Sequence, residues 1–106
     1  MASPFSIALT TVASEAKARE IAKATLEARL AACAQLFSVQ SIYVWKDELR
    51  EDTEIALHLK IRAEDFPAVQ ALIRRLHDYE TPEIVRIDIT DGDGAYLDWM
   101  AACVRR

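Results

Sequence analysis

The segment 77–84 holds the densest group of side chains in this chain that could do chemistry. It places an imidazole, a phenol and several carboxylates between a helical pattern and a strand pattern, and its proline is expected to end the helix. Copper and zinc favour imidazole and thiolate ligands, with carboxylates as harder partners. His77 and Glu80 are near enough in sequence to share one ion, and Cys33 could join them only through the fold or another subunit. The alternative is that His77 and Tyr79 hold the helix end by hydrogen bonds.

Signatures of other chemistries are missing from the sequence. No nucleophile stands in a GxSxG or Cys-His pattern. Neither a GxGxxG nor a Walker loop is present, because the only glycines are Gly92 and Gly94. The first strand is not followed by the CxxC motif of heavy-metal carriers, and Cys33 and Cys103 do not make a disulfide framework. We therefore expect no enzymatic activity and no required cofactor.

Composition and charge restrict the partners of this chain. It has 106 residues, 52% of them hydrophobic and 28% charged, as in a soluble globular domain. Its formal net charge of −4 argues against nucleic-acid binding, which needs a basic surface. No apolar run approaches the roughly 20 residues that span a bilayer, and no signal peptide is visible at the N-terminus. The expectation is one cytoplasmic domain over residues 1–106, without nucleic-acid or membrane contact.

Hydrophobic periodicity predicts an alternating order of strands and helices. A period of two indicates strands, and a period of about 3.6 indicates helices. The order is β-α-β-β-α-β with a terminal helix, which predicts an α+β fold of the ferredoxin-like, split βαβ type with an antiparallel sheet. The predicted bounds are strands 5–12, 33–45, 53–62 and 84–89, and helices 15–30, 63–77 and 95–106.

The two central strands predict a hairpin that is long for so small a domain. Each arm has about ten residues and spans about 33 Å. Its turn is expected at residues 46–48, because Asp47 tolerates unusual backbone angles. A domain of this size cannot cover both arms, and exposed strand edges invite pairing with another chain. We therefore expect an oligomer.

Several separate motifs together resemble those of the CutA divalent-cation tolerance proteins. They occur in the family's order and extend over residues 6–104, which is nearly the whole chain. The motifs are Ala31-Ala32-Cys33 after an alanine-rich helix, Ser41-Ile42-Tyr43-Val44-Trp45, Lys60, His77-x-Tyr79-Glu80-x-Pro82-Glu83-Ile84 and Tyr96-Leu97-x-Trp99. Two departures stand out, since Asp47 replaces a common glycine and Asp78 replaces a common proline.

The resemblance implies a tight homotrimer whose long hairpins pair between subunits, as in an architecture similar to that of the PII signalling proteins. It also implies a link to tolerance of copper or other divalent cations, and weak copper binding near His77. No catalytic activity is established for this family.

The resemblance further implies roles for individual residues. It implies ligand binding by Trp45, Lys60, Tyr79 and Glu83, metal binding by His77, Glu80 and Cys33, and a trimer interface that contains Tyr43, Trp45 and Trp99. The alternative function is that of a PII-like trimeric regulator. Such a protein would bind a small anionic metabolite through Lys60 in the cleft between subunits.

Overall fold

The computed structural model describes residues 3–105, so the predicted helical end at Arg106 and the N-terminal residues Met1 and Ala2 lie outside the described residues. The elements are β1 (Phe5–Val12), α1 (Glu15–Glu27), β2 (Ala31–Trp45), β3 (Glu48–Arg62), a 3-10 helix (Ala63–Asp65), α2 (Phe66–Leu76), β4 (Ile84–Asp88) and α3 (Gly94–Cys103). The strands form one antiparallel sheet in the order β2-β3-β1-β4, which confirms the predicted split βαβ fold. Within residues 3–105, none of the helices combines the length and the apolar character that crossing a membrane requires.

The two faces of the sheet are covered differently. Ala8 and Leu59 are partners across β1 and β3, are fully buried, and belong to the core that α1 and α2 close. Their neighbours along each strand point to the opposite face, because side chains alternate with a period of two. We call this opposite face the open face. α3 covers it at one end only, where Met100 and Val104 pack on Phe5.

Helix α1 begins as predicted but ends at Glu27, three residues before the predicted end. The Ser14 side chain caps its start by accepting a hydrogen bond from the Lys17 N–H. At its other end Arg29 has a φ of 59°, and the N–H groups of Arg29 and Leu30 bond carbonyls of the last turn. This is a Schellman motif, which usually carries glycine at the left-handed position. The prediction was wrong because arginine gives no local signal for a helix end.

The other helices are also shorter than predicted. Residues 63–65 form a 3-10 turn, so α2 begins at Phe66. It ends at Leu76 because His77 is already extended, with φ −75° and ψ 145°. Helix α3 begins at Gly94, where Asp93 accepts a hydrogen bond from the Tyr96 N–H, and the helix ends at residue 103.

The hairpin is confirmed and is longer than predicted, since each of its strands has 15 residues. Strand β1 ends at Val12, opposite Ile55, so the part of the hairpin from 39 to 54 extends past the end of β1. The turn residues Lys46 and Asp47 have φ values of 51° and 65°. Positive φ at both positions is what a type I′ hairpin turn requires. We call residues 39–54 the projecting hairpin.

Candidate functional site

A groove of about 750 Å³ lies between the projecting hairpin and the segment that connects α2 to β4. We call residues 77–83 the connection. It passes the end of β1 and reaches the base of the projecting hairpin. The groove is lined by Thr11, Gln40, Ser41, Ile42, Tyr43, Trp45, Arg50, Glu54, Tyr79, Glu80, Thr81 and Glu83.

A hydrogen bond joins two of the residues that line the groove, Tyr79 and Glu54. The Tyr79 hydroxyl donates to Oε2 of Glu54 at 2.8 Å, and the residue Glu54 is only 8% exposed. Burial raises the pKa of Tyr79, and the hydrogen bond to the Glu54 carboxylate raises this pKa further. The phenol therefore stays protonated at neutral pH and keeps donating to the carboxylate.

His77 fastens the connection to the sheet. Its Nε2 lies 2.8 Å from the carbonyl oxygen of Thr11, which can only accept, so we assign the ring proton to Nε2. Its Nδ1 accepts a hydrogen bond from the Tyr79 N–H at 3.1 Å. Both ring nitrogens are thus engaged, and the imidazole has no free lone pair for a metal ion in this arrangement.

The predicted metal ligands His77, Glu80 and Cys33 are not brought together within one subunit. Cys33 lies opposite Lys60, whereas His77 bonds Thr11, which lies opposite Ala56. These two levels are four residues apart along β3, or about 13 Å. Glu80 lies elsewhere, where it pairs with Lys46 at 3.8 Å. Among residues 3–105 no group of three His, Cys, Asp or Glu side chains is arranged to hold one ion.

Lys60 lies outside the groove, unlike the other predicted ligand-binding residues Trp45, Tyr79 and Glu83. Its ammonium donates to the Tyr96 hydroxyl at 3.2 Å and lies 5.2 Å from the centre of that ring. Within one subunit, Lys60 therefore lies near α3 and apart from the other three residues that were predicted to bind a ligand. The strand register determines this position.

The residues predicted at the trimer interface are accessible in the single chain. Tyr43 is 38% exposed and Trp99 is 46% exposed, whereas Trp45 is half-buried beside the groove. The Tyr43 hydroxyl bonds Asp52 across the hairpin, which raises the pKa of Tyr43. Trp99 stacks beside Tyr96, with ring centres 5.5 Å apart.

Sequence reasoning missed Glu54 and Arg50 as groove residues. Glu54 belongs to the polar side of a strand with a period of two, so its sequence context indicates a solvated carboxylate. Its burial comes from the connection, which brings Tyr79 against it. No local sequence signal reports that contact, since the two residues are 25 positions apart.

Comparison with known proteins gives one consistent result. A sequence profile described as CutA1 divalent ion tolerance protein matches residues 6–103. The divalent-cation tolerance protein CutA of Thermus thermophilus is 44% identical over 95 residues, covering 89% of this chain and 92% of that protein. Protein CutA of Mus musculus is 38% identical over 96 residues, covering 90% of this chain, which spans about half (54%) of the mouse protein.

Solved structures lead to the same family. The structure described as the periplasmic divalent cation tolerance protein CutA from Archaeoglobus fulgidus superposes with a TM-score of 0.92 at 35% identity. It covers 95% of this chain and 99% of the Archaeoglobus chain.

Proposed function

Because this chain belongs to the CutA1 divalent ion tolerance family, we propose that it acts in the cytoplasm as a non-catalytic homotrimer that binds copper or similar divalent cations weakly. The family supports the role in cation tolerance. The observation that supports the oligomer is the uncovered apolar surface of the open face, and the exposed carboxylates of Glu80 and Glu83, which line the groove, support the weak binding of cations.

The open face exposes several large apolar side chains to water in the single chain, and such grouped apolar side chains commonly mark an interaction surface. Val85 and Ile87 on β4 are 42% and 47% exposed, and Phe37 on β2 is 45% exposed. Tyr96 and Trp99 of α3 add two more exposed rings beside this surface. Burial of these side chains against sister subunits would remove apolar area from water, at about 25 cal/mol per Å².

The edges of the sheet also favour association. β2 and β4 are the outer strands, so each has one side without a backbone partner in the single chain. Contacts between unlike surfaces of neighbouring copies close into rings when the rotation permits. A ring of three copies agrees with the trimer that the family resemblance implies.

The chemistry of the available ligands supports weak rather than tight copper binding. His77 is engaged through both ring nitrogens, and Cys33 lies at another level of the sheet. The accessible oxygen ligands at the groove are the exposed carboxylates of Glu80 and Glu83. Copper prefers imidazole and thiolate ligands, so carboxylates without them hold it loosely.

Mass in solution tests the oligomer. Light scattering at micromolar concentration should report a particle of three times the 11.9 kDa chain mass. A particle of 11.9 kDa would contradict the trimer. The same measurement in excess copper shows whether the cation changes the assembly.

Calorimetric titration with copper tests the cation site. We expect His77→Ala to bind as the parent does, and Glu80→Gln with Glu83→Gln to weaken binding several-fold. Glu51→Gln is a matched control, because Glu51 is an exposed glutamate of the same hairpin that does not line the groove. If only His77→Ala lost copper binding while it remained a trimer, the imidazole of His77 would be a copper ligand and this account would be wrong.

A further inference from the structure

His58 lies at the centre of the open face. It precedes the buried Leu59 on β3, so its side chain points to the opposite side of the sheet from the core. Its neighbours across the sheet are Leu9 on β1 and Gln35 on β2. The imidazole meets the ring of Phe37 at 85°, with ring centres 4.8 Å apart. His58 therefore belongs to the surface that the proposed trimer buries.

The imidazole of His58 has no polar partner within the subunit. In the part of the chain from 3 to 105, its ring takes part in no hydrogen bond and no ion pair. The other histidine of the chain, His77, differs because both of its ring nitrogens are engaged. No contact within the subunit therefore holds His58 in its charged form.

The nearest charged side chain along the strand is a lysine. Lys60 follows His58 by two residues on the same face of β3, a separation of about 7 Å. Its ammonium donates to the Tyr96 hydroxyl of α3. Cys33 on β2 lies opposite Lys60, and the strands β1 and β4 present no titratable side chain on this face. A proton on His58 therefore adds a second positive charge close to the first, which is unfavourable.

The carboxylates of the open face lie further from His58. Glu54 is four residues away along β3, or about 13 Å, and it already accepts a hydrogen bond from Tyr79. Glu83 lies in the connection before β4, and β1 separates β4 from β3. Neighbouring strands are about 5 Å apart, so Glu83 belongs to a strand position about 10 Å or more from β3. A protonated His58 therefore gains no carboxylate partner from its own subunit.

From this arrangement we infer that His58 makes the assembly sensitive to acid, so that subunits associate when its imidazole is neutral and separate when it is protonated. The inference rests on the proposed trimer and adds a means of regulating it. A protonated imidazole covered by sister subunits is a buried charge without a partner, which is costly. Histidine takes up a proton in water at about pH 6.5. Below that pH the separated subunits bind more protons than the trimer does, so association weakens as the pH falls.

Dissociation in urea at two pH values tests the inference. Light scattering follows the mass of the parent protein through a urea series at about pH 8 and at about pH 5.5, both above the ordinary carboxylate pKa of about 4. Aspartate and glutamate side chains thus stay charged in both series. The urea midpoint of the trimer should fall by about 0.5 M or more at the lower pH, because three copies of His58 contribute.

Two variants assign the response to a residue. His58→Gln does not take up a proton in this range, so it should lose most of the shift in the urea midpoint. His77→Gln is the matched control, because it removes the only other histidine and should keep the shift of the parent protein. Circular dichroism and mass at about pH 8 establish that each variant is folded and assembled. If His58→Gln is not, His58→Phe takes its place, since its ring can pack on Phe37 in the same way.

Several results would overturn the inference. A trimer with the same urea midpoint at both pH values would overturn it alone, whereas an 11.9 kDa particle at the higher pH would overturn the proposed trimer as well. An equal shift in the parent and in His58→Gln would place the response elsewhere, as would a shift that only His77→Gln loses. A trimer that is more stable in acid would mean that a sister subunit gives His58 a carboxylate, which also contradicts the inference.

Discussion

The Tyr79 hydroxyl donates a hydrogen bond at 2.8 Å to the buried carboxylate of Glu54. This contact joins the connection after α2 to the base of the projecting hairpin, two parts of the chain that share no strand ladder. His77 holds Tyr79 in position for this contact. Its Nδ1 accepts a hydrogen bond from the Tyr79 N–H, while its Nε2 donates to the carbonyl oxygen of Thr11 on β1. Imidazole, phenol and carboxylate thus form one chain of contacts that shapes the groove.

Removing the Tyr79 hydroxyl should destabilise the protein. Tyr79→Phe leaves the Glu54 carboxylate buried without its donor, which typically costs about 1–3 kcal/mol. Chemical unfolding of the assembled protein should show the loss as a lower midpoint in urea. Tyr43→Phe is the matched control, because its hydroxyl bonds the exposed Asp52 and its removal should change stability by less than about 0.5 kcal/mol. Equal midpoints for the two variants would contradict this account of Glu54.

Stability should fall when the solution becomes strongly alkaline. The pKa of Tyr79 is raised in the folded protein by burial and by the Glu54 carboxylate, so the native state holds this proton more tightly than the unfolded chain does. The stabilisation is complete below the ordinary tyrosine pKa of about 10, and it is lost as the pH rises from there toward the folded value. Urea unfolding between about pH 8 and pH 11 measures the slope. Tyr79→Phe should show a shallower loss, and an unchanged slope would argue against a raised pKa.

The hairpin turn offers a stabilising substitution. Asp47 has a φ of 65°, in the left-handed region where glycine has no steric penalty. We expect Asp47→Gly to stabilise the protein by about 0.5–1 kcal/mol, since a type I′ turn favours glycine at its second position. Thermal unfolding provides the measurement. In Glu48→Gly, at the first residue of β3, the same glycine should destabilise instead, and stabilisation by both changes would exclude a turn-specific effect.

A charge on the open face should break the assembly without unfolding the subunit. Ile87 is 47% exposed in the single chain, so Ile87→Asp has little effect on a lone subunit but leaves a buried charge in a trimer. Light scattering should show Ile87→Asp as an 11.9 kDa particle with a native circular dichroism spectrum. Arg86→Asp changes the neighbouring exposed residue, which points to the other face, and it should stay trimeric. A trimeric Ile87→Asp protein would move the interface away from the open face.

Local patterns predicted the elements well where each pattern is strong. The alternation from residue 53 to 62 predicted β3, and several separate motifs, taken together over nearly the whole chain, led to the family. The predictions were wrong at the ends of helices that lack a standard sequence signal. Arg29 adopts the left-handed position of a Schellman motif that usually carries glycine, so the end of α1 was placed three residues too late.

Which site residues lie close together depends on distances between separate segments of the chain, and no local sequence pattern reports those distances. Cys33 and His77 were grouped by the chemistry of their side chains. Cys33 lies opposite Lys60, however, whereas His77 bonds Thr11 opposite Ala56, and these two positions are about 13 Å apart along β3. Lys60 was grouped with Trp45 and Tyr79, but the same register places it beside Tyr96. Glu54 was passed over because its burial comes from a residue in a distant part of the chain.

The amino-acid sequence by itself determined the order of strands and helices, the split βαβ fold, the long hairpin and the family. These follow from periodicity and from short motifs, which involve residues close together along the chain. The tertiary structure decided which polar groups meet: Tyr79 with Glu54, and His77 with Thr11 rather than with Cys33. These contacts depend on the strand register and on the path of the connection. Both are determined by the whole fold and cannot be derived from any single segment.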